Sequence, residues 1–263
     1  MEIARFFLDL LFPIECLGCG KEETFLCNIC ASGVLPPEAL CVFCGVKSTS
    51  DKPCVACAKH HALDRVIVAA DYNDSLVRKA IHALKYQGVK GLAGPLGQLL
   101  VKIISQDVIP AKAGIQARIN PQGLTFGGLT SKNLEVKPPN IEFLVIPLPL
   151  HSRRLKTRGY NQAKLLAHSV AQALGVPLCI DLLVRVRDTS QQVGLTGEER
   201  RANLQNAFSL TRSHLALQGE TLKGSTILLI DDVTTTGTTL DEAAKVLKHA
   251  GAKAVWGLVV ARG

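Results

Sequence analysis

The sequence predicts an α/β fold, a parallel twisted sheet with helices on both faces, preceded by a small cysteine-rich module. Three observations lead there. Strand-like and helix-like segments alternate from Arg65 to Arg262, a pattern that builds parallel sheets covered on both sides. Eight of the nine cysteines lie before residue 58, all in C-x-x-C pairs, so the N-terminal segment follows different rules from the rest. The chain has 263 residues, 47% of them hydrophobic and 20% charged. That is enough for one core of about 200 residues plus a small module.

Residues 1–60 form the module and 61–263 the larger domain. RVIVAADY (65–72) is a strand by its β-branched run. SLVRKAIHALKY (75–86) places apolar residues at 76, 77, 80, 81 and 84, a helical spacing. A second helix is expected from Leu92 to Ile104. Residues 105–140 lose all periodicity and recur in Pro and Gly, which reads as an irregular insertion. Within it VIPAKAGIQ (108–116) resembles peptides translated from short mobile genomic repeats. IEFLVIPLPL (141–150) is a buried strand, and YNQAKLLAHSVAQALG (160–175) a helix that stops at Gly175. LCIDLLVRVR (178–187) is a strand or an extended edge. TGEERRANLQNAF (196–208) reads as a helix, with Thr196 and Glu199 as a capping box. Strand STILLIDDV (225–233), helix TTLDEAAKVLKHAG (238–251) and strand AKAVWGLVVAR (252–262) complete the chain.

No run of eighteen apolar residues exists, so no membrane span is expected. The N-terminus, MEIARFFLDLLFPIEC, lacks a basic start and a small-residue cleavage site. It reads as a short amphipathic helix packed on the protein, and a cytoplasmic location is expected. The formal net charge is +8, yet residues 1–60 carry five basic and seven acidic side chains, leaving +10 on the larger domain. A pyrophosphate-bearing substrate, a nucleic acid, or both would suit that charge.

The cysteine pairs are Cys16/Cys19, Cys27/Cys30, Cys41/Cys44 and Cys54/Cys57. Each C-x-x-C turn lets two thiolates reach one metal, and four thiolates close a tetrahedral Zn²⁺ site. Such regular pairing does not suit a secreted disulfide framework. Two structural zinc ions are therefore expected. Sequential pairing would make two zinc ribbons, 16–30 and 41–57; a cross-braced pairing is equally compatible with the spacing. His60 and His61 are further candidate ligands, read here as linker residues.

The richest string is ILLIDDVTTTGTTL (227–240). An apolar strand delivers two carboxylates and then a Thr/Gly loop to the carboxyl end of the sheet, where open α/β sheets bind ligands. Asp231 and Asp232 can accept hydrogen bonds from two ribose hydroxyls. Thr235, Thr236, Gly237, Thr238 and Thr239 offer amides and hydroxyls to a phosphate at the start of the next helix. A second string, VIPLPLHSRRLKTRGYNQA (145–163), leaves a strand through Leu150 and His151 and brings Arg153, Arg154, Lys156 and Arg158 on a loop before the next helix. GETLKGST (219–226) is discarded as a phosphate loop, since it lacks the lysine that such a loop needs and precedes a strand.

The first string resembles the phosphoribosyl pyrophosphate signature of type I phosphoribosyltransferases. PxPL followed by RxxxRGYNQA resembles the ComF family, as does RVRDTSQQVGLTGEERRANLQNAF (185–208), on which Gln192, Leu195, Arg200 and Asn203 fall. Lys85 in IHALKYQG matches a further position of that family. The resemblance implies a type I phosphoribosyltransferase-like domain that binds phosphoribosyl pyrophosphate with Mg²⁺. Asp231 and Asp232 would position the sugar, while Arg153, Arg154 and Arg158 balance the leaving pyrophosphate. It also implies a link to natural competence, with single-stranded DNA and a helicase-like partner. An enzyme with an unassigned acceptor and a non-catalytic binding component both remain open at this point.

Overall fold

The computed structural model describes residues 14–48, 50–107, 142–187, 206–211 and 222–263. In chain order the elements are α1 (Asn28–Ser32), α2 (Val55–Ala58), β1 (Arg65–Asp71), α3 (Ser75–Tyr86), a 3₁₀ turn (Lys90–Leu92), α4 (Ala93–Asp107), β2 (Phe143–Pro147), α5 (Ser152–Arg158), α6 (Gln162–Leu174), β3 (Leu183–Arg185), β4 (Phe208–Leu210), β5 (Thr226–Thr234), α7 (Thr238–His249) and β6 (Ala254–Arg262). Local chemistry sets several boundaries. The Asp74 carboxylate accepts from the Leu76 and Val77 amides and starts α3. Asn161 caps Ala163 at the start of α6. Gly159 ends α5 at φ +79, a conformation that a side chain would strain.

Four strands make one parallel sheet in the order β1-β6-β5-β2. The central strand β5 is buried on both faces for most of its length, so its apolar run is continuous rather than alternating. Its even positions, Leu228 and Ile230, pack with α3, α4 and α6; its odd positions, Ile227 and Leu229, pack with α7 and the β3–β4 pair. The expectation of helices on both faces is met. β3 and β4 pair antiparallel outside the main sheet.

Four sequence expectations shift. The basic segment expected as a loop folds as α5, its seven residues closed by Gly159. α4 continues to Asp107, so 105–107 belong to a helix rather than to the insertion. The expected helix 196–208 does not reach its end, because Phe208 pairs with Arg185 in the β3–β4 ladder. The expected strand 178–187 is reduced to Leu183–Arg185, with only Leu178 bridging to Val145. The N-terminal helix, residues 108–140 of the insertion, the capping box and Gln192, Leu195, Arg200 and Asn203 lie outside the described residues.

The cysteine-rich module is fastened to the amino end of β1, to the carboxyl end of β6 and to α7. Arg65 pairs through two nitrogens with Asp51, and the Val66 amide donates to the Asp51 carbonyl. Arg262 donates to the carbonyls of Leu40 and Cys41. Asp241 in the first turn of α7 is 2% exposed and accepts from the Ala62 and Leu63 amides at 2.7 and 3.1 Å, while His61 Nδ1 lies 2.9 Å from its second oxygen. Removing this carboxylate strands two buried amides. Asp241→Ala is expected to cost about 3 kcal/mol of folding stability in urea titrations, and an unchanged midpoint would show the tie to be idle.

Candidate phosphate site and metal centres

Successive side chains of a strand point to opposite faces. Asp231 and Asp232, adjacent near the end of β5, therefore belong to different sides of the sheet. Asp232 is 2% exposed and its Oδ1 meets Lys85 Nζ, from the last turn of α3, at 2.9 Å. Its Oδ2 is buried with no hydrogen-bond partner among the described residues. Burial works against the charge of Lys85, but the carboxylates of Asp232 and Asp231 outweigh it and hold the ammonium above its ordinary pKa. Asp231 turns its Oδ1 to the Asp232 amide at 2.8 Å. Burial, then repulsion from Asp232, push its pKa up to about 7 against the opposing charges of Lys85 and of Arg185 on β3. Arg185 also stacks over Phe208.

Beyond Thr234 the chain turns through Thr235, Thr236 and Gly237 into α7, whose first residues are Thr238 and Thr239. Gly237 is the N-cap at φ +69, and no side chain caps the helix. The first-turn amides, at the positive end of the helix, keep their donors available. The hydroxyls of Thr236 and Thr238 bond to each other at 2.8 Å, drawing the loop tight. Thr235 and Thr236 are exposed.

At the neighbouring strand end β2 runs through Leu148 to Pro149, Leu150 and His151, which caps α5 through Nδ1. Leu150, His151, Arg154 and Arg158 are half-buried, and Arg153 is exposed. Arg158 donates to Gln162 at 2.6 Å and stacks over the Tyr86 ring. Tyr160 donates its hydroxyl to the Leu84 carbonyl, and Lys90 covers its ring. This strap joins the α5 turn to the end of α3, beside Lys85. The α5 arginines are thus carried on the strand next to β5, and Arg158 is the one tied to the helix that bears Lys85.

Lys85 was legible only through the family string. Arg185 carried no sequence signal beyond its place at a strand. His61 read as linker and Asp241 was not singled out; the fold makes them partners of each other.

In that module the cysteines gather sequentially, Cys16, Cys19, Cys27 and Cys30 in one group and Cys41, Cys44, Cys54 and Cys57 in the other, each group's sulfurs within 4.8 Å of one another. The cross-braced alternative is thereby removed. Cys19 and Cys27 sulfurs lie 3.6 Å apart, and those of Cys44 and Cys54 3.7 Å. Tetrahedral Zn–S bonds of about 2.3 Å require about 3.8 Å between sulfurs, and a disulfide about 2.05 Å. No disulfide joins any of the nine cysteines. Amides of Cys27 and Cys54 point at the sulfurs of Cys16 and Cys41. Hydrogen bonds to Cys27 and Cys19 push Cys30 up to about 12, so without a cation the first four thiols cannot all ionise. The donor sets fit two structural Zn²⁺ ions with no open coordination position.

Two measurements test these assignments. Metal analysis of the purified chain is expected to return two zinc per chain, falling to one in Cys44→Ser; none in the wild type would remove the ribbons. The folded chain holds Asp231 protonated where the unfolded chain has released the proton, so stability falls as pH rises from 3.8 to about 7 and levels off above. Asp231→Asn is expected to melt about 2–4 °C above the wild type at pH 8, with little difference at pH 4. An equal melting temperature at both pH values would show the carboxylate to be unstrained.

Comparison with known proteins agrees with this architecture. The family model described as phosphoribosyl transferase domain matches residues 161–262, and that described as double zinc ribbon domain matches residues 7–58. Competence protein F of Haemophilus influenzae is 41% identical over 116 residues, 43% of this chain, and the match spans about half of that relative, 48% of its length. Competence protein ComFC of Bacillus subtilis is 30% identical over 113 residues, 43% of this chain and 41% of that one. DNA utilization protein YhgH of Salmonella typhi is 32% identical over 232 residues, 88% of this chain and 87% of that one. With paired zinc ribbons leading into a parallel sheet whose central strand ends in two aspartates and a threonine loop, the chain belongs to the ComF family.

Proposed function

We propose that the chain binds phosphoribosyl pyrophosphate with Mg²⁺ at the end of β5 and transfers the phosphoribosyl group to an acceptor, releasing pyrophosphate, in a pathway of DNA uptake. The observation that carries this reading is Asp232. One of its oxygens is held by Lys85, and the other is buried without a partner, one turn of chain before an uncapped helix N-terminus. A buried acceptor of this kind is costly unless a donor arrives, and a ribose hydroxyl is such a donor. Lys85 pairs with one Asp232 oxygen and fixes its rotamer. Asp231 accepts from the second hydroxyl once it has lost its proton.

Thr235, Thr236, Gly237, Thr238 and Thr239 take the 5-phosphate through amides and hydroxyls. Leu150 and His151 bring the chain from β2 to the pyrophosphate side, where Arg153, Arg154 and Arg158 offset the charge that develops on the leaving group. The Asp231 and Asp232 carboxylates could help to hold a Mg²⁺ ion, which would supply charge neutralisation to the bound pyrophosphate. The unpartnered Asp232 oxygen and the Asp231 carboxylate are the hard oxygen donors expected around such a complex.

A second reading is non-catalytic. The net charge of +10 on residues 61–263 favours a polyanion partner. The names of the relatives point to DNA, and no base-recognition residue is evident among the described residues. In this reading the site senses phosphoribosyl pyrophosphate while the domain handles single-stranded DNA beside a helicase-like partner. The chain is expected to work in the cytoplasm in either case. Among the described residues no helix is long and apolar enough to cross a membrane.

Titration calorimetry with Mg-phosphoribosyl pyrophosphate, followed by an assay of released pyrophosphate, separates the two readings. Binding is expected in both, and pyrophosphate release with added acceptors only in the first. Asp232→Asn and Lys85→Met are each expected to weaken binding by about 10- to 100-fold, the worth of one hydrogen bond to a charged group. Normal affinity in Asp232→Asn would end the assignment.

A further inference from the structure

The second zinc ribbon does not stand apart from the threonine loop. The two residues between Cys41 and Cys44 are Val42 and Phe43. A Cβ added to Gly237 would meet the Val42 methyls at 3.0 Å and Phe43 Cε1 at 3.1 Å. The apolar tip of the knuckle therefore presses on the loop backbone at its left-handed residue, where φ is +69. Val42 is 6% exposed and belongs to the core on the α7 face.

The knuckle is held from behind as well. The Phe43 ring lies parallel to the His61 ring, centroids 3.5 Å apart. His61 in turn lies 2.9 Å from Asp241, four residues past Gly237 on α7. On the other side Arg262, paired in register with Thr234, grips the carbonyls of Leu40 and Cys41. A closed circuit thus runs from Thr234 through Arg262, Cys41, Phe43, His61 and Asp241 back to Gly237. Gly237 has no side chain of its own, so packing from the knuckle joins the Thr236–Thr238 hydroxyl bond and the Asp241 amide on its carbonyl in restraining it. Backbone bonds from Gly45 to Cys41 and from Cys41 to Val46 close the knuckle turn, and a metal shared by Cys41 and Cys44 would clamp it further.

We propose that Val42 and Phe43 are positioning residues of the threonine loop, and that zinc in the second tetrad sets the loop's order. The metal has no open coordination position, and its role here is mechanical. Filling that tetrad rigidifies the anion cradle, and emptying it loosens the cradle while the parallel sheet remains. By linkage, a ligand in the cradle favours retention of the second zinc.

The test reads the loop directly and does not depend on the ligand. Hydrogen exchange is followed across 234–241 and across 226–231 in the full-length, zinc-loaded wild type, in Phe43→Ala and in Phe43→Leu. Phe43→Ala is expected to exchange about tenfold faster at 234–241 with 226–231 unchanged, a typical coupling between sites, and Phe43→Leu to recover most of the protection. Unchanged exchange in a Phe43→Ala chain that holds both zincs overturns the proposal. Should Phe43→Ala not fold, the wild type treated with a zinc-selective chelator takes its place. A rise confined to 234–241 supports the proposal, and no rise, or a rise shared equally with 226–231, overturns it.

A second arm rests on the reading of the loop as a phosphate site. Mg-phosphoribosyl pyrophosphate is expected to bind Phe43→Ala about tenfold more weakly than wild type. A wild type that exchanges as expected yet fails to bind leaves the coupling standing and removes the ligand.

Discussion

Two neighbouring carboxylates near the end of a buried strand are an unfavourable arrangement, and most of the site can be understood as the answer to it. Strand geometry sends them to opposite sides of the sheet. Lys85, from a helix on one face, meets Asp232; Arg185, from the small antiparallel pair on the other, tempers Asp231. The answer is partial. Asp231 stays raised and Asp232 keeps an oxygen without a partner. A chain selected for stability alone would not retain two such groups side by side at the rim of its core. Their cost is the mark of a site on which the proposed ligand would find acceptors waiting.

The same economy shapes the surrounding elements. α3 matters for its last turn, which carries Lys85 and offers the Leu84 carbonyl to Tyr160. α7 matters for its first, where Gly237 leaves amides uncapped while Asp241, four residues on, spends its charge on the chain that enters β1. An acid near a helix start usually serves that helix. Here it faces away, so the positive end of the dipole remains turned toward the loop.

Much of this was legible in the sequence. The β5 string gave the strand, the aspartates, the loop and the helix in order, because each depends on local pattern: an apolar run, then Gly and Thr where a helix begins. The cysteine pairs gave their metal for the same reason. What was not legible depends on residues far apart in the chain. Sequential zinc pairing, the Arg185 charge beside Asp231, and the stacking of Phe43 on His61 all arise from docking, and no period of two or 3.6 encodes them. The basic segment 152–158 misled for a different reason. Its arginines and lysine dominate the reading, while the helix rests on a histidine cap and a glycine stop.

The position of β2 has a last consequence. It lies at the outer margin of the four-stranded sheet, and the long unpatterned stretch of sequence enters between α4 and this strand. Extra chain spliced there interrupts no ladder between central strands. The penalty for joining more distant ends grows only logarithmically, about 0.6 kcal/mol for each doubling. An outer strand is thus a seam at which length can be added without parting the central ladders.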